Sequence, residues 1–156
     1  MSVACDEAHE LYLAHVGHVE GTSDWSEVTQ TLIDDFARTT LDFAPIHVNP
    51  VAAARGPFGT TIAHGLLTLS MLPHLSLGST RLLDSQVRLR GGVNYGFDKV
   101  RFVSPVKVNS RIRGVVTLTS VERTDDRLDV TRRVVVELEG SERPALVAEW
   151  IWRSFF

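Results

Sequence analysis

Two places in the chain carry groups that could do chemistry. Asp42 and His47 stand five residues apart in LDFAPIHVNP (41–50), and His64-Gly65 stand near the start of FGTTIAHGLLTLSMLPHLSL (58–77). A carboxylate and an imidazole can exchange protons with a bound molecule, the imidazole because it titrates near neutral pH. Near a helix start, backbone N–H groups lack internal partners and sit at the positive end of the helix dipole, free to donate to a ligand. Each feature also has a plain structural reading: Asp42 can close a turn, His47 can pack or cap, and Gly65 can let helices approach closely. The other clusters offer less. His15 and His18 are three apart, but Gly17 breaks the helix between them and no acid or thiol at ligand spacing completes a metal set. Asp34 and Asp35 are adjacent, so on a helix they face different directions. Cys5 is the single cysteine, which excludes an intrachain disulfide, and no base stands beside it.

The elements that position these groups follow from periodicity. From Ile62 to Leu77 the apolar residues, Leu66, Leu67, Leu69, Met71, Leu72 and Leu75 among them, are too dense for one stripe, which predicts a helix buried nearly all round. The run is shorter than the ~20 apolar residues of a membrane span and carries His64, Thr68, Ser70 and Pro73. It is expected to be the central helix of a core, with Thr60 or Thr61 as its cap. Residues 6–16 have helical character, and 21–29 form a turn leading into a short extended piece. Leu32, Ile33, Phe36 and Ala37 predict an amphipathic helix over 30–40. Pro45 ends it, and Asn49-Pro50 is a cap and first-position pair for a short helix through Ala54. Asp42 and His47 are therefore expected on an irregular loop between two helices, where polar side chains can converge on a ligand.

Past Gly78 the period changes from helical to two. Strands are predicted at 86–92, 95–103, 111–122, 127–138 and 145–155, separated by turn signals at Ser104-Pro105, Asp125-Asp126 and Glu139-Gly140-Ser141. Alternation is clearest where Ala148, Trp150 and Trp152 oppose Glu149, Ile151 and Arg153. The short turns between the last three strands mean antiparallel pairing. One buried helix and an antiparallel meander have a simple solution, an α+β fold in which the curled sheet wraps its concave face around the helix.

A length of 156 residues fits one domain spanning 1–156. A net charge of −3 gives no electrostatic reason to expect a nucleic acid or an anionic membrane as partner. The first ten residues lack a basic segment followed by an apolar run, so a cytoplasmic protein is expected.

The chain also resembles a family, the MaoC-like (R)-specific enoyl-CoA hydratases, and within it the group similar to nodulation protein N. That family's signature runs roughly Phe-Ala-x-x-Ser/Thr-Gly-Asp-x-Asn-Pro-Ile-His-x-Asp-Pro, then after a spacer Phe-Gly-x-x-Ile-Ala-His-Gly. Here the chain has Phe36-Ala37, then Asp42, then Pro45-Ile46-His47 and Asn49-Pro50, followed by Phe58-Gly59-Thr60-Thr61-Ile62-Ala63-His64-Gly65. Val93-Asn94-Tyr95-Gly96 and Lys99-Val100-Arg101-Phe102 extend the similarity over most of the chain.

The resemblance implies a single hot dog fold and hydration of 2-enoyl thioesters, or the reverse dehydration of 3-hydroxyacyl thioesters. It implies Asp42 and His47 as the groups that activate water and the Gly65 N–H as the donor to the enolate oxygen. Phe43, Ile62, Ala63, His64 and Arg101 are implied as substrate-binding positions, with Lys99 and Arg90 as further cations for the nucleotide end. It implies no metal and no cofactor beyond the coenzyme A or acyl carrier protein that carries the substrate, and a homodimer joined sheet edge to sheet edge. Four positions depart from the pattern: Leu41 stands where glycine is usual, Ala44 where asparagine is usual, Asn49 where an acid is common, and Pro73 where serine is frequent. A leucine does not readily take a positive φ, so Leu41 is expected to alter the loop. Ala44 deletes an amide beside Asp42. Two rivals remain in view. A hot dog thioesterase commonly carries its working acid on the central helix, but residues 62–77 hold neither Asp nor Glu. A diverged relative could bind thioesters without turnover, or run another dehydratase, cyclisation or addition step.

Overall fold

Alternating burial along three long strands near the C-terminus sets the architecture. The computed structural model describes residues 3–156, apart from the side chains of Leu77, Ser79, Arg81 and Leu82. The expectation for Leu77 therefore lies outside the described side chains. The chain runs α1 (Val3–His15), β1 (Val19–Thr22), β2 (Ser26–Val28), α2 (Gln30–Thr40), α3 (Pro45–Val48), α4 (Pro50–Ala54), α5 (Gly65–Ser70), α6 (Leu72–Asp84), β3 (Gly91–Phe102), β4 (Ser110–Thr124), β5 (Arg127–Leu138) and β6 (Leu146–Phe155). The sheet is antiparallel in the order β1-β4-β5-β6-β3, with β2 also paired to β4. Its inner face presents Ile112, Val116, Val134, Val136, Leu146 and Ala148 to Leu67, Leu72 and Leu75 of α5 and α6. Burying a leucine fully contributes roughly 1.5–3 kcal/mol, so this contact is the main support of the helix pair. The sheet curled around a central helical segment is the hot dog arrangement. A second cluster, Cys5, Ala8 and Tyr12 of α1 with Leu118, Leu128 and Val130, extends the core beyond α6. Burial pushes the Cys5 thiol up, which keeps it protonated.

Three expectations about elements need correction. The central helix is two helices: α5 ends at Met71, and Pro73, which lacks an N–H, sits in the first turn of α6, where none is needed. Its start is also later than expected, at Gly65, and neither Thr60 nor Thr61 caps it, because His64 holds the cap position without a side-chain bond. Residues 61–63 are extended instead. Ile62 bridges to Lys107, the Ala63 N–H donates to the Val106 carbonyl, and the Val108 N–H donates to the Thr61 carbonyl. Strand-like partners outcompete the first helical turn there. Finally, 86–92 and 95–103 are not two strands. β3 is continuous from Gly91 and pairs with β6 throughout, while residues 86–90 lie outside it. The double glycine reads as a break but is a packing device: a Cβ on Gly92 would lie 2.3 Å from the Trp152 indole nitrogen.

Candidate active site

The helix α2 forms as its pattern predicts, over residues 30–40, with the Thr29 hydroxyl capping the Leu32 N–H. It delivers the chain to Leu41, which takes φ 61° and ψ 23° as the C-cap. The expectation that leucine would alter this loop is therefore corrected: the left-handed conformation is kept, with an exposed leucine occupying it. Asn49 caps α4 through the Ala52 N–H, as its pairing with Pro50 predicts. Between the caps, the expected irregular loop contains one short helix, α3, and His47 sits on it.

Three hydrogen bonds stitch this loop to residues 62–64. The Ile62 N–H donates to the Ile46 carbonyl at 3.0 Å. The His47 ring donates from Nδ1 to the Ile62 carbonyl at 2.7 Å, and the His64 ring donates from Nε2 to the Asp42 carbonyl at 3.0 Å. A carbonyl oxygen only accepts, so these contacts assign both tautomers. His47 keeps Nε2 as its free basic atom, and His64 keeps Nδ1. Both rings are buried, stacked with centroids 3.8 Å apart and planes 26° apart, and Phe36 lies 5.0 Å from the His64 ring. On the other side Gln30 donates to the His47 carbonyl at 2.9 Å and accepts from the Thr61 hydroxyl at 2.6 Å.

Asp42 is held differently. Its side chain is 54% exposed, with Oδ2 4.0 Å from His64 Nε2, and Oδ1 accepts from the Ala44 N–H at 3.2 Å. The turn-closing reading of Asp42 thus describes one of its oxygens. A carboxylate oxygen still lies within 4.8 Å of a ring nitrogen of each histidine. The three residues make a possible ligand group on paper. Stacked rings, however, carry their in-plane lone pairs side by side rather than convergent, and one nitrogen of each ring is committed to a carbonyl, so the set is poorly shaped for a tetrahedral ion.

His47, Gly65, Ile62, Ala63, Thr68 and Phe102 line one cavity of about 280 Å³. Gly65 opens α5, and among the described residues no acceptor takes its N–H. A Cβ on Gly65 would lie 3.0 Å from the Phe102 ring, so glycine here permits the ring to close over the backbone. Asp42, Phe43, His64 and Arg101 are not among the lining residues. Phe43 is half exposed, Arg101 turns its guanidinium back to the Val100 carbonyl, and Lys99 pairs with Glu149. The carboxylate that α6 does carry, Asp84, lies at its far end and accepts from Tyr12 and Arg132. Gln30, Phe58, Thr68 and Phe102 were missed as site residues. Phe58 and Phe102 stand inside the Phe58–Gly65 and Lys99–Phe102 motifs, which is a usable signal. Gln30 looks like any polar residue opening an amphipathic helix.

The model of the MaoC like domain matches residues 13–139. Nodulation protein N of Rhizobium leguminosarum bv. viciae is 47% identical over 149 residues, covering 92% of this chain and 91% of the relative. A protein of Mycobacterium tuberculosis named 3-hydroxyacyl-thioester dehydratase Z is 44% identical over 144 residues, covering 90% and 91%. Among solved structures, a monoamine oxidase regulatory protein from Archaeoglobus superposes with a TM-score of 0.72 at 26% identity, covering 86% of each chain.

Proposed function

The chain belongs to the MaoC-like domain family, and from that membership we propose that it is an (R)-specific hydratase/dehydratase of 2-enoyl and 3-hydroxyacyl thioesters, acting in the cytoplasm on coenzyme A or acyl carrier protein substrates. The observation that carries the reading is the shared cavity. His47, with Nδ1–H committed and Nε2 free, and the unclaimed Gly65 N–H open on the same space. Hydration adds OH to C3 and H to C2, and the barrier lies in enolate charge building on the thioester oxygen. The Gly65 N–H at the helix start is suited to that oxygen, and one such donor contributes roughly 3 kcal/mol of transition-state stabilisation. His47 Nε2 takes a proton from water as its oxygen bonds to C3. Asp42 holds that water and relays the same proton to C2, so the protein ends each turnover unchanged.

Crotonyl-CoA mixed with the purified protein should lose the absorbance of its conjugated thioester and yield the (R)-3-hydroxy product. Asp42→Asn and His47→Gln should each lower kcat at least ~100-fold. If both variants hydrate as fast as the parent, the assignment is wrong. The exposure of Asp42 and its absence from the cavity lining favour one second reading, a relative that binds enoyl thioesters without hydrating them. Saturable binding with no turnover at any chain length would identify it.

A further inference from the structure

We infer that His64 is a positioning residue for this reaction, holding Asp42 in register with His47 through its Nε2–H; the inference rests on the reading of Asp42 and His47 just given. Of the groups at the site, Asp42 is the one that burial does not hold. His47 is buried and bonded, and Gly65 is fixed by the helix it opens, whereas the Asp42 carboxylate is more than half exposed and, among the described residues, accepts a hydrogen bond from the Ala44 N–H alone, with His64 Nε2 4.0 Å from its other oxygen. What fixes the Asp42 backbone across the site is the hydrogen bond from His64 Nε2 to its carbonyl. The post itself does not move freely: the ring is 3% exposed, stacked on His47 and flanked by Phe36. His64 also immediately precedes Gly65, so one residue ties the acid–base pair to the oxyanion donor.

The second ring nitrogen makes the role legible. His64 Nδ1 is buried and has no hydrogen-bond partner among the described residues. An unpartnered buried nitrogen destabilises a fold, and an apolar side chain in its place would carry none. Packing alone therefore does not account for an imidazole here, and the Nε2–H bond to Asp42 does. The ring is not among the residues lining the cavity, so it acts through Asp42 rather than on substrate.

The tautomer makes the test specific. A glutamine amide nitrogen can reach the position of Nε2, whereas an asparagine amide reaches only that of Nδ1. His64→Phe, His64→Asn and His64→Gln are assayed with crotonyl-CoA beside the parent and Asp42→Asn, each with a thermal melt. His64→Phe should keep KM within about 2-fold and lose roughly 10–100-fold in kcat, the range typical of removing a group that orients a catalytic one, while the melt reports how the larger ring is accommodated. His64→Gln should recover most of that loss and His64→Asn little. Parental kcat in His64→Phe, or recovery by Asn but not Gln, overturns the inference while leaving the Asp42/His47 reading intact. A fully active Asp42→Asn sinks both. If His64→Phe does not fold, the Gln-against-Asn contrast decides alone, and equal kcat in those two overturns it.

Discussion

Leu41 holds φ at 61° with 77% of its surface exposed, so its side chain contributes nothing that offsets the strain. An L-residue in the left-handed region costs roughly 1–2 kcal/mol, and glycine returns roughly 0.5–1 kcal/mol of that through its freer unfolded chain. Leu41→Gly should therefore raise stability by roughly 0.5–1 kcal/mol, read as a higher urea midpoint at unchanged slope. A lower midpoint would contradict the left-handed cap. The flanking contacts of Asp42 involve its own backbone and the Ala44 N–H, so this substitution leaves them in place. Ala44 is less disruptive than its side chain suggests, since what it offers Asp42 is its N–H. The pair Asp42 and His47 was legible as residue types and spacing. Their bonding was not, because Ile62 and His64, which fix the His47 ring and the Asp42 backbone, stand 15 and 22 residues further along the chain.

At the scale of elements, period two read the faces of β4, β5 and β6 correctly, and the same alternation places Arg132 inward between Val130 and Val134. No local feature explains a charge on that face. Its partners are Glu20, 112 residues away, and Asp84. Burial works against the Arg132 charge, but those carboxylates hold its pKa above the usual value. A cross-strand pair sits further along β5, toward its start. Arg153 of β6 faces Asp129 of β5 with two hydrogen bonds of 2.6 and 2.5 Å, and its guanidinium lies 3.5 Å over the Tyr95 ring of β3. The Arg153 hydrogen bond holds the Asp129 carboxyl below its ordinary value of 3.8, with burial opposing. A depressed native pKa stabilises the fold fully above the unfolded value and progressively less as pH falls through the native one. Asp129→Asn should thus unfold at lower urea than the parent at pH 7, with the gap closing below about pH 4. A gap that persists unchanged to about pH 2 would show that the carboxylate charge is not what the strands share.

For the whole molecule, the open feature is β3. It ends the strand order, is twelve residues long, and shows exposed Val93, Tyr95 and Phe102. A long apolar edge invites another strand, and natural folds rarely leave one bare. The homodimer proposed from family resemblance would cover it with the β3 of a second copy. Sedimentation at micromolar concentration should then give twice the chain mass, and a monomer there would remove the proposal. Among the described residues no helix is long and apolar enough to cross a membrane.

The amino-acid order alone determined the features that depend on near neighbours: the helix over 30–40, the Asn49-Pro50 helix start, the face alternation of β4, β5 and β6, and the presence of Asp42, His47 and Gly65 where a site could form. Tertiary structure decided what depends on distant partners. Residues 61–63 are extended because Ile46, Val106 and Val108 claim their backbone, Gly92 lies inside a strand because Trp152 needs its space, and His64 bonds Asp42 because stacking on His47 brings it there. Periodicity reports which face of an element is apolar, and it carries no information on which remote donor or acceptor will meet that face.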